Sequence, residues 1–305
     1  MKPAALLVCA LGMVGCGSSD GGGLTLTAPP PRPGGPSHVF VIVMENKEYG
    51  DVIGSPTSPY VNSLARRYAS ATSFFGVRHP SLPNYLALTA GTTFGVDTDC
   101  TDCQQSGESI VDQLEAAGVS WKAYMGGMPS ACFKGAFSGR YAKKHDPFMY
   151  YRSVADQPGR CAKVVPESVL AADLRAGRLP TFAFLSPGLC DDTHDCSIET
   201  GDRYLARTVP AILNSLGPRG FLVLTWDEGD SDRGCCNGLA AGGQIATVIA
   251  GPTVKPGAQV SVPATHYSTL RLIEDSLRLP RLRHAGDTAV APLDTAFEGG
   301  MPRVP

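Results

Sequence analysis

The chain has 305 residues, with 26 Lys and Arg against 28 Asp and Glu, a formal net charge of −2 and 43% hydrophobic residues. No basic run stands out, so nucleic acid is not expected as an electrostatic partner. The length suffices for one large α/β domain with a substantial core.

At the amino end, Lys2 precedes an apolar stretch over 4–14 that ends in Gly15-Cys16. A charged start, a brief apolar region and a small residue before the cut form a secretory signal. The stretch is shorter than the ~20 residues a transmembrane helix needs. Met13-Val14-Gly15-Cys16 resembles a bacterial lipobox, with a plain signal peptide as the alternative. The resulting division is a lipoprotein-type signal over 1–15, a flexible Gly/Pro-rich tether over 16–36, and a folded domain over 37–305. The domain is expected to be exported and held to a membrane by acylated Cys16, on the periplasmic or cell-surface side.

Within the domain, apolar runs alternate with amphipathic ones. Val39–Met44 is apolar throughout and predicts a buried strand. Ser58-Pro59 opens a helix over 58–67, with Pro at an early helical position. A strand over 71–77 and a helix from Ser81 to Gly91 follow. The segments 108–117 and 119–124 read as helix and strand. Residues 126–166 show little periodicity and read as an irregular insert or lid near the active site. Helices are predicted over 167–176 and 203–216, the latter kinked at Pro210. Strands are predicted over 181–185, 221–226 and 245–249. A last helix starts at His266 or Tyr267. Alternating helices and apolar strands predict a three-layer α/β/α sandwich around a mostly parallel sheet.

Two strands end in paired metal-grade side chains. Val39–Met44 runs into Glu45-Asn46, and 221–226 runs into Asp227-Glu228. Ligands in open α/β sheets sit beyond the carboxyl ends of strands, so four oxygen ligands can converge there on one hard cation. Oxygen-rich ligands suit calcium, magnesium, manganese or zinc. Such pairs are also ordinary loop residues or helix caps. Ser81 lies at a helix start, where an anion is favoured, and is either a simple N-cap or a metal-activated nucleophile. His194, set among Asp191, Asp192 and Asp195, and His266 are metal ligands, general acids or surface residues.

Of ten cysteines, setting aside Cys9 and Cys16 leaves eight in the domain. An even number in an exported chain predicts disulfides. Cys132 with Cys161 and Cys190 with Cys196 are the expected nearby pairs. Cys235 and Cys236 must each pair elsewhere or form a strained vicinal bond, and a four-cysteine zinc site is the alternative for the set.

Three segments carry a resemblance: 40–46, His79-Pro80-Ser81-Leu82-Pro83-Asn84-Tyr85, and Thr225-Trp226-Asp227-Glu228-Gly229. In this order they resemble the bacterial and fungal phosphoesterase family, which holds acid phosphatases and non-toxin phospholipases C within the alkaline phosphatase superfamily. The resemblance covers about 37–290. It implies an alkaline-phosphatase-like core, Glu45, Asn46, Asp227 and Glu228 as ligands of a divalent metal, and Ser81 as nucleophile. It places His79, His194 and His266 around the phosphate and offers Asp192, His194 and His266 for a second metal, although the usual Asp-x-x-x-His spacing is absent. The chain is also shorter than phospholipase members. The expected activity is therefore a phosphomonoesterase acting on a small phosphate ester through a phosphoserine, with His194 or His79 protonating the leaving group. A phospholipase C-type phosphodiesterase is one alternative. A non-catalytic lipoprotein that binds a metal or an anion at the surface is another.

Overall fold

The computed structural model describes Met1 and residues 35–304. The expected signal, acylated Cys16 and nearly all of the tether lie outside the described residues. The central sheet has eight strands: β1 (Val39–Met44), β2 (Ala69–Ala71), β3 (Trp121–Met125), β4 (Val164–Pro166), β5 (Phe182–Ser186), β6 (Phe221–Trp226), β7 (Thr247–Ala250) and β8 (Gln259–Val260). Their spatial order is β8-β2-β7-β6-β1-β5-β3-β4. Every neighbouring pair is parallel except those of β7, which runs antiparallel to β6 and β2. β1 and β6 lie in the middle and are buried along their whole length, as their unbroken apolar sequences require.

Six main helices cover the sheet: α1 (Pro59–Arg67), α2 (Ser81–Ala90), α3 (Ile110–Ala116), α4 (Ser168–Arg175), α5 (Ile198–Ser215) and α6 (His266–Leu277). α2 packs on α6, while α1 and α4 pack on α5. The result is the predicted α/β/α sandwich. α1 is tied to α5 by Asp202, whose carboxylate accepts the backbone N–H groups of Tyr60 and Val61 at 3.0 and 2.9 Å.

The structure shifts several predicted elements. The run over 71–77 breaks into β2 and a separate two-residue strand, Phe74–Phe75, which pairs with Ala264–Thr265. α5 begins earlier than expected and continues through Pro210. Its first turn includes Gly201, where a Cβ would stand 2.3 Å from Thr193 Cγ2, so only glycine lets the helix approach this close. That approach clamps the 191–195 loop against the end of β1. The predicted insert over 126–166 holds a short hairpin (Phe137–Ser138 with Tyr141–Ala142), turns of 3-10 helix and two one-turn helices. Its last residues are β4, the sheet edge, because pairing with β3 satisfies backbone groups that periodicity does not reveal.

All eight domain cysteines are paired: Cys100–Cys103, Cys132–Cys161, Cys190–Cys196 and Cys235–Cys236. Both expected nearby pairs form, the adjacent cysteines bond to each other, and no thiol is left for a four-cysteine metal site.

Glu274 gives a pH test remote from the site. It is fully buried on α6, accepts the Leu282 N–H at 2.8 Å through Oε1, and leaves Oε2 without a partner. Burial pushes its carboxyl from 4.5 up to about 8. The folded chain therefore holds a proton that the unfolded chain releases, and stability falls as pH rises through that window. Glu274→Gln keeps the oxygen for Leu282 and removes the charge. The expected outcome is a variant Tm above wild type at pH 9, with the gap closing by pH 5 in thermal denaturation.

Candidate active site

The site follows from strand register. Met44 pairs with Trp226 across β1 and β6, so the next residues, Glu45-Asn46 and Asp227-Glu228, leave the sheet side by side. The Asp227 N–H donates to the Met44 carbonyl at 2.9 Å and carries the pairing one step further. Asn46 has φ +48, a left-handed conformation that asparagine tolerates, and turns its side chain back over the strand ends. The Asp227 Oδ1 accepts the backbone N–H groups of Asn46 and Glu228 at 2.9 and 2.6 Å. The end of the Asn46 amide lies 3.3 Å from Glu45 Oε2, 3.2 Å from Asp227 Oδ1 and 3.3 Å from Glu228 Oε1. The side chains of the four predicted residues thus cluster, with the Asn46 amide NH2 turned to the three carboxylates.

Ser81 is the first residue of α2, and Pro80 holds the N-cap position without a side-chain bond. The Ser81 hydroxyl caps nothing. It is fully buried and donates to Glu45 Oε2 at 3.1 Å. Asn84, one turn on, accepts the N–H groups of Val77 and Arg78 at 2.7 and 3.1 Å and fixes the loop leading to the serine. Tyr85, on the same helix, donates its hydroxyl to Glu45 Oε1.

His145 joins the candidate site although no sequence pattern singles it out. It lies in the 3-10 turn Lys143–His145 of the insert, stacked on Tyr85 with ring centroids 5.6 Å apart. Its Nε2 stands 3.1 Å from Glu45 Oε2 and its Nδ1 3.4 Å from Asp192 Oδ2. Glu45, His145 and Asp192 form a buried triad whose ligand atoms lie within 4.8 Å of one another. These contacts are ion pairs rather than aligned bonds, since His145 Nε2 and Asp192 Oδ2 both lack a partner in hydrogen-bonding geometry. No periodicity marks the insert, so only the Lys-Lys-His-Asp run over 143–146 could have drawn attention to it.

The other predicted residues divide. His79 Nδ1 lies 2.6 Å from Glu228 Oε2, and its Nε2 donates to the Ser231 carbonyl at 3.1 Å. His194 Nδ1 bonds Asp195 at 2.8 Å, and Lys144 Nζ lies 3.3 Å from its Nε2. The Asp192 carboxylate accepts the His194 backbone N–H at 2.8 Å. His266 opens α6 under a Thr265 cap, donates Nε2–H to the Asp227 carbonyl at 2.5 Å, and keeps a buried Nδ1 with no partner. Asp192 clusters with His145, whereas His266 sits against Asp227. Thr193, between Asp192 and His194, has φ +79 and donates its hydroxyl to the Glu45 carbonyl at 2.7 Å. A β-branched residue in that conformation is held there by its surroundings.

Crowded carboxylates shape the electrostatics. Burial, then the charges of Glu45 and Glu228, raise Asp227 well above the usual carboxylate range. Burial also pushes Glu228 up to about 7, against the pull of His79. Burial works to raise Glu45 too, but the facing His145 charge, with the Tyr85 hydroxyl bond, brings it down to about 2. His145 itself reaches about 9, because Glu45 and Asp192 outweigh its burial. His266 is lowered by burial to about 4 and stays neutral.

A cleft of about 270 Å³, lined by Asn46, His79, Glu228, Gly229, Asp230 and Asp232, opens onto this cluster. A larger, more apolar cavity of about 660 Å³ lies between α4 and α5 and contains none of these site residues.

The mostly parallel sheet covered by helices is a fold shared with solved proteins of the alkaline phosphatase superfamily. A solved protein of that superfamily from Vibrio parahaemolyticus superposes with a TM-score of 0.53 at 14% identity, over 80% of this chain and 67% of the other, which shows the shared fold. The model of the Phosphoesterase family matches residues 55–280, and the chain belongs to that family. It is 32% identical to a phosphatidylinositol-3-phosphatase of Mycobacterium tuberculosis, over 82% of this chain and 79% of the relative. It is 30% identical to a probable acid phosphatase of Kluyveromyces lactis, over 82% of this chain and 61% of that longer protein. The chain is a phosphoric ester hydrolase.

His145→Ala removes the buried cation that faces Glu45 and Asp192 and leaves two carboxylates uncompensated. The expected loss is about 3–5 kcal/mol in metal-free protein, read by urea denaturation in the presence of chelator.

Proposed function

We propose that the chain is a metal-dependent phosphomonoesterase in which Ser81 is the nucleophile and carries a transient phosphoserine. The observation that bears most weight is the buried Ser81 hydroxyl, 3.1 Å from Glu45 and uninvolved in capping its own helix. Both relatives described above are named as phosphatases, which favours monoester cleavage over the phospholipase C alternative.

The residues fit a divalent cation. Three buried carboxylates lie within 3.3 Å of the end of the Asn46 amide, and burial, reinforced by the neighbouring negative charges, raises the pKa of two of them, Asp227 and Glu228. His266 Nδ1, His145 Nε2 and Asp192 Oδ2 are buried polar atoms without hydrogen-bond partners around the same cluster. Glu45, Asn46, Asp227 and Glu228 would hold the ion, with Asp192 and His266 as further donors. When bound, it supplies charge that relieves the carboxylates, acidifies the serine hydroxyl and offsets the phosphoryl oxygens. The donor chemistry suits calcium, magnesium, manganese or zinc.

The chain's own groups account for the rest. Glu45 Oε2 orients the Ser81 Oγ–H and receives its proton as the oxygen attacks phosphorus in line. The P–O bond to the leaving group breaks as the Ser81–phosphorus bond forms. His194 donates the leaving-group proton from Nε2, with Asp195 steadying its Nδ1. His79, with its Nδ1 on Glu228 and its Nε2 on the Ser231 carbonyl, is the alternative donor. Water then attacks the phosphoserine as His194 takes a proton from it; the Ser81–phosphorus bond breaks, inorganic phosphate leaves, and Glu45 returns its proton to the Ser81 oxygen.

We also infer an exported enzyme tethered at Cys16. Its four disulfides suit an oxidising compartment, and no helix among the described residues is long and apolar enough to cross a membrane.

Ser81→Ala is expected to lower turnover of p-nitrophenyl phosphate at least about 10³-fold while the fold persists by circular dichroism. Acid quenching with labelled substrate should place phosphate on Ser81, and near-normal hydrolysis by Ser81→Ala would overturn the mechanism. Wild type should prefer the monoester to bis-p-nitrophenyl phosphate. Chelator should abolish turnover, and one of the four cations should restore it. Cys16→Ala should release the enzyme from membrane fractions, scored by detergent partition and lipid labelling.

A further inference from the structure

We propose that Lys144 binds the phosphoryl oxygens of the substrate and selects dianionic monoesters over monoanionic diesters, with the Asp99 carboxylate holding that place until substrate displaces it. The proposal rests on the phosphatase reading and adds a residue that no family motif singled out.

The geometry around Asp99 carries it. The Asp99 Oδ2 accepts from Lys144 Nζ at 2.9 Å, and its Oδ1 accepts the Leu82 backbone N–H at 3.0 Å. Leu82 directly follows Ser81, so this carboxylate bridges the lysine and the amide beside the nucleophile. A carboxylate and one face of a phosphoryl group present oxygens in comparable ways to such donors. The same Nζ lies 3.3 Å from His194 Nε2, the atom assigned to the leaving group. Lys144 therefore reaches the histidine that faces departure directly, and the helix start that bears the nucleophile through Asp99.

The surroundings make Lys144 more than a surface ion pair. Its side chain is only 16% exposed and that of Asp99 is 26% exposed. Burial disfavours the ammonium, yet the Asp99 bond and the charges of Asp99, Glu45 and Asp227 raise its pKa and keep it charged. The loop bearing Asp99 is stapled by Cys100–Cys103 and fastened to the insert that bears Lys144. The Lys143 Nζ donates to the Thr101 carbonyl at 2.7 Å, and the Tyr150 hydroxyl donates to the Cys100 carbonyl at 2.8 Å. The two partners are thus positioned in advance rather than by chance rotamers.

The sign of the local charge explains why the site needs this lysine. Glu45 bonds the serine, Asp99 bonds the next amide, and Asp192, Asp227 and Glu228 cluster with Glu45, so an entering dianion meets several carboxylates. A lysine that trades one carboxylate for the substrate's oxygens keeps its charge balanced before and after binding. A diester, with one negative charge fewer, gains less from that exchange.

The test uses the full enzyme with divalent cation present. Wild type, Lys144→Met, Lys144→Arg and Asp99→Asn are compared for KM and kcat on p-nitrophenyl phosphate and its bis ester, and for inorganic phosphate binding by calorimetry. Lys144→Met should weaken phosphate binding and raise monoester KM by about tenfold or more, with the bis ester less affected. Lys144→Arg should recover most of the loss. Asp99→Asn, lacking the competing charge, should bind phosphate more tightly than wild type. Thermal denaturation identifies misfolding, and Lys144→Gln substitutes for Lys144→Met if that variant unfolds. Unchanged phosphate affinity in a folded Lys144→Met or Lys144→Gln protein overturns the proposal, as does equal loss on both esters. Weaker phosphate binding by Asp99→Asn overturns it too, since Asp99 would then be a support for Lys144 and not a stand-in. A wild type that binds phosphate in this Lys144-dependent way but cleaves no ester refutes the phosphatase reading while sustaining the binding role.

Discussion

Like charges forced together out of water are the constraint on which this structure turns. Glu45 and Asp227 are fully buried and Glu228 nearly so, at the ends of two neighbouring strands. Isolated buried carboxylates are costly, and three in one place are tolerated only if surrounding groups absorb the charge. The Tyr85 hydroxyl, the His145 ring, the backbone N–H groups of Asn46 and Glu228 and the His79 ring each take up part of it. Burial raises the pKa of Asp227 and Glu228, which eases their ionic charge further, and a cation in their midst completes the balance in the proposed enzyme. The cost in stability is what makes the site receptive to a cation.

The sheet delivers these groups because β1 and β6 are adjacent and in register. Parallel strands aim their carboxyl ends the same way, so consecutive residues after each strand open into one crevice. α2 adds the serine from one side and α6 adds His266 from the same helical layer. The clamp at Gly201 presses the Asp192 loop onto the end of β1 from the other layer. Few long-range choices, the neighbour relations of two strands and the seating of two helices, therefore set most of the site.

The irregular segment between β3 and β4 has a different task. It has little regular structure of its own, and the Cys132–Cys161 bond together with a seam of buried aromatic residues, Phe148, Tyr150 and Tyr151 among them, secures it. On that platform the Lys143–His145 turn presents two cations to a cluster that is otherwise acidic. The insert supplies the positive side of the site, while the strand ends supply the negative side.

The amino-acid sequence by itself determined the layers, the two central strands and the four oxygen-bearing residues that follow them. Continuous apolar runs and strand-end acids are local patterns, and strand ends in such sheets have a fixed meaning. It also marked Ser81 and His79, which lie in one short motif, and His194 and His266, which stand out by an acidic neighbourhood and a helix start. Only the tertiary structure decided that Glu45 and Asp227 share one space, since register across a gap of 182 residues leaves no local trace. Likewise it alone showed that the Ser81 hydroxyl turns to Glu45 instead of capping its helix, and that Cys235 and Cys236 bond each other. His145 and Lys144 were illegible for the same reason. They sit in a segment without periodicity, and their partners, Glu45, Asp192 and Asp99, come from elsewhere in the chain, so their roles exist only once the fold has brought opposite charges within 4 Å.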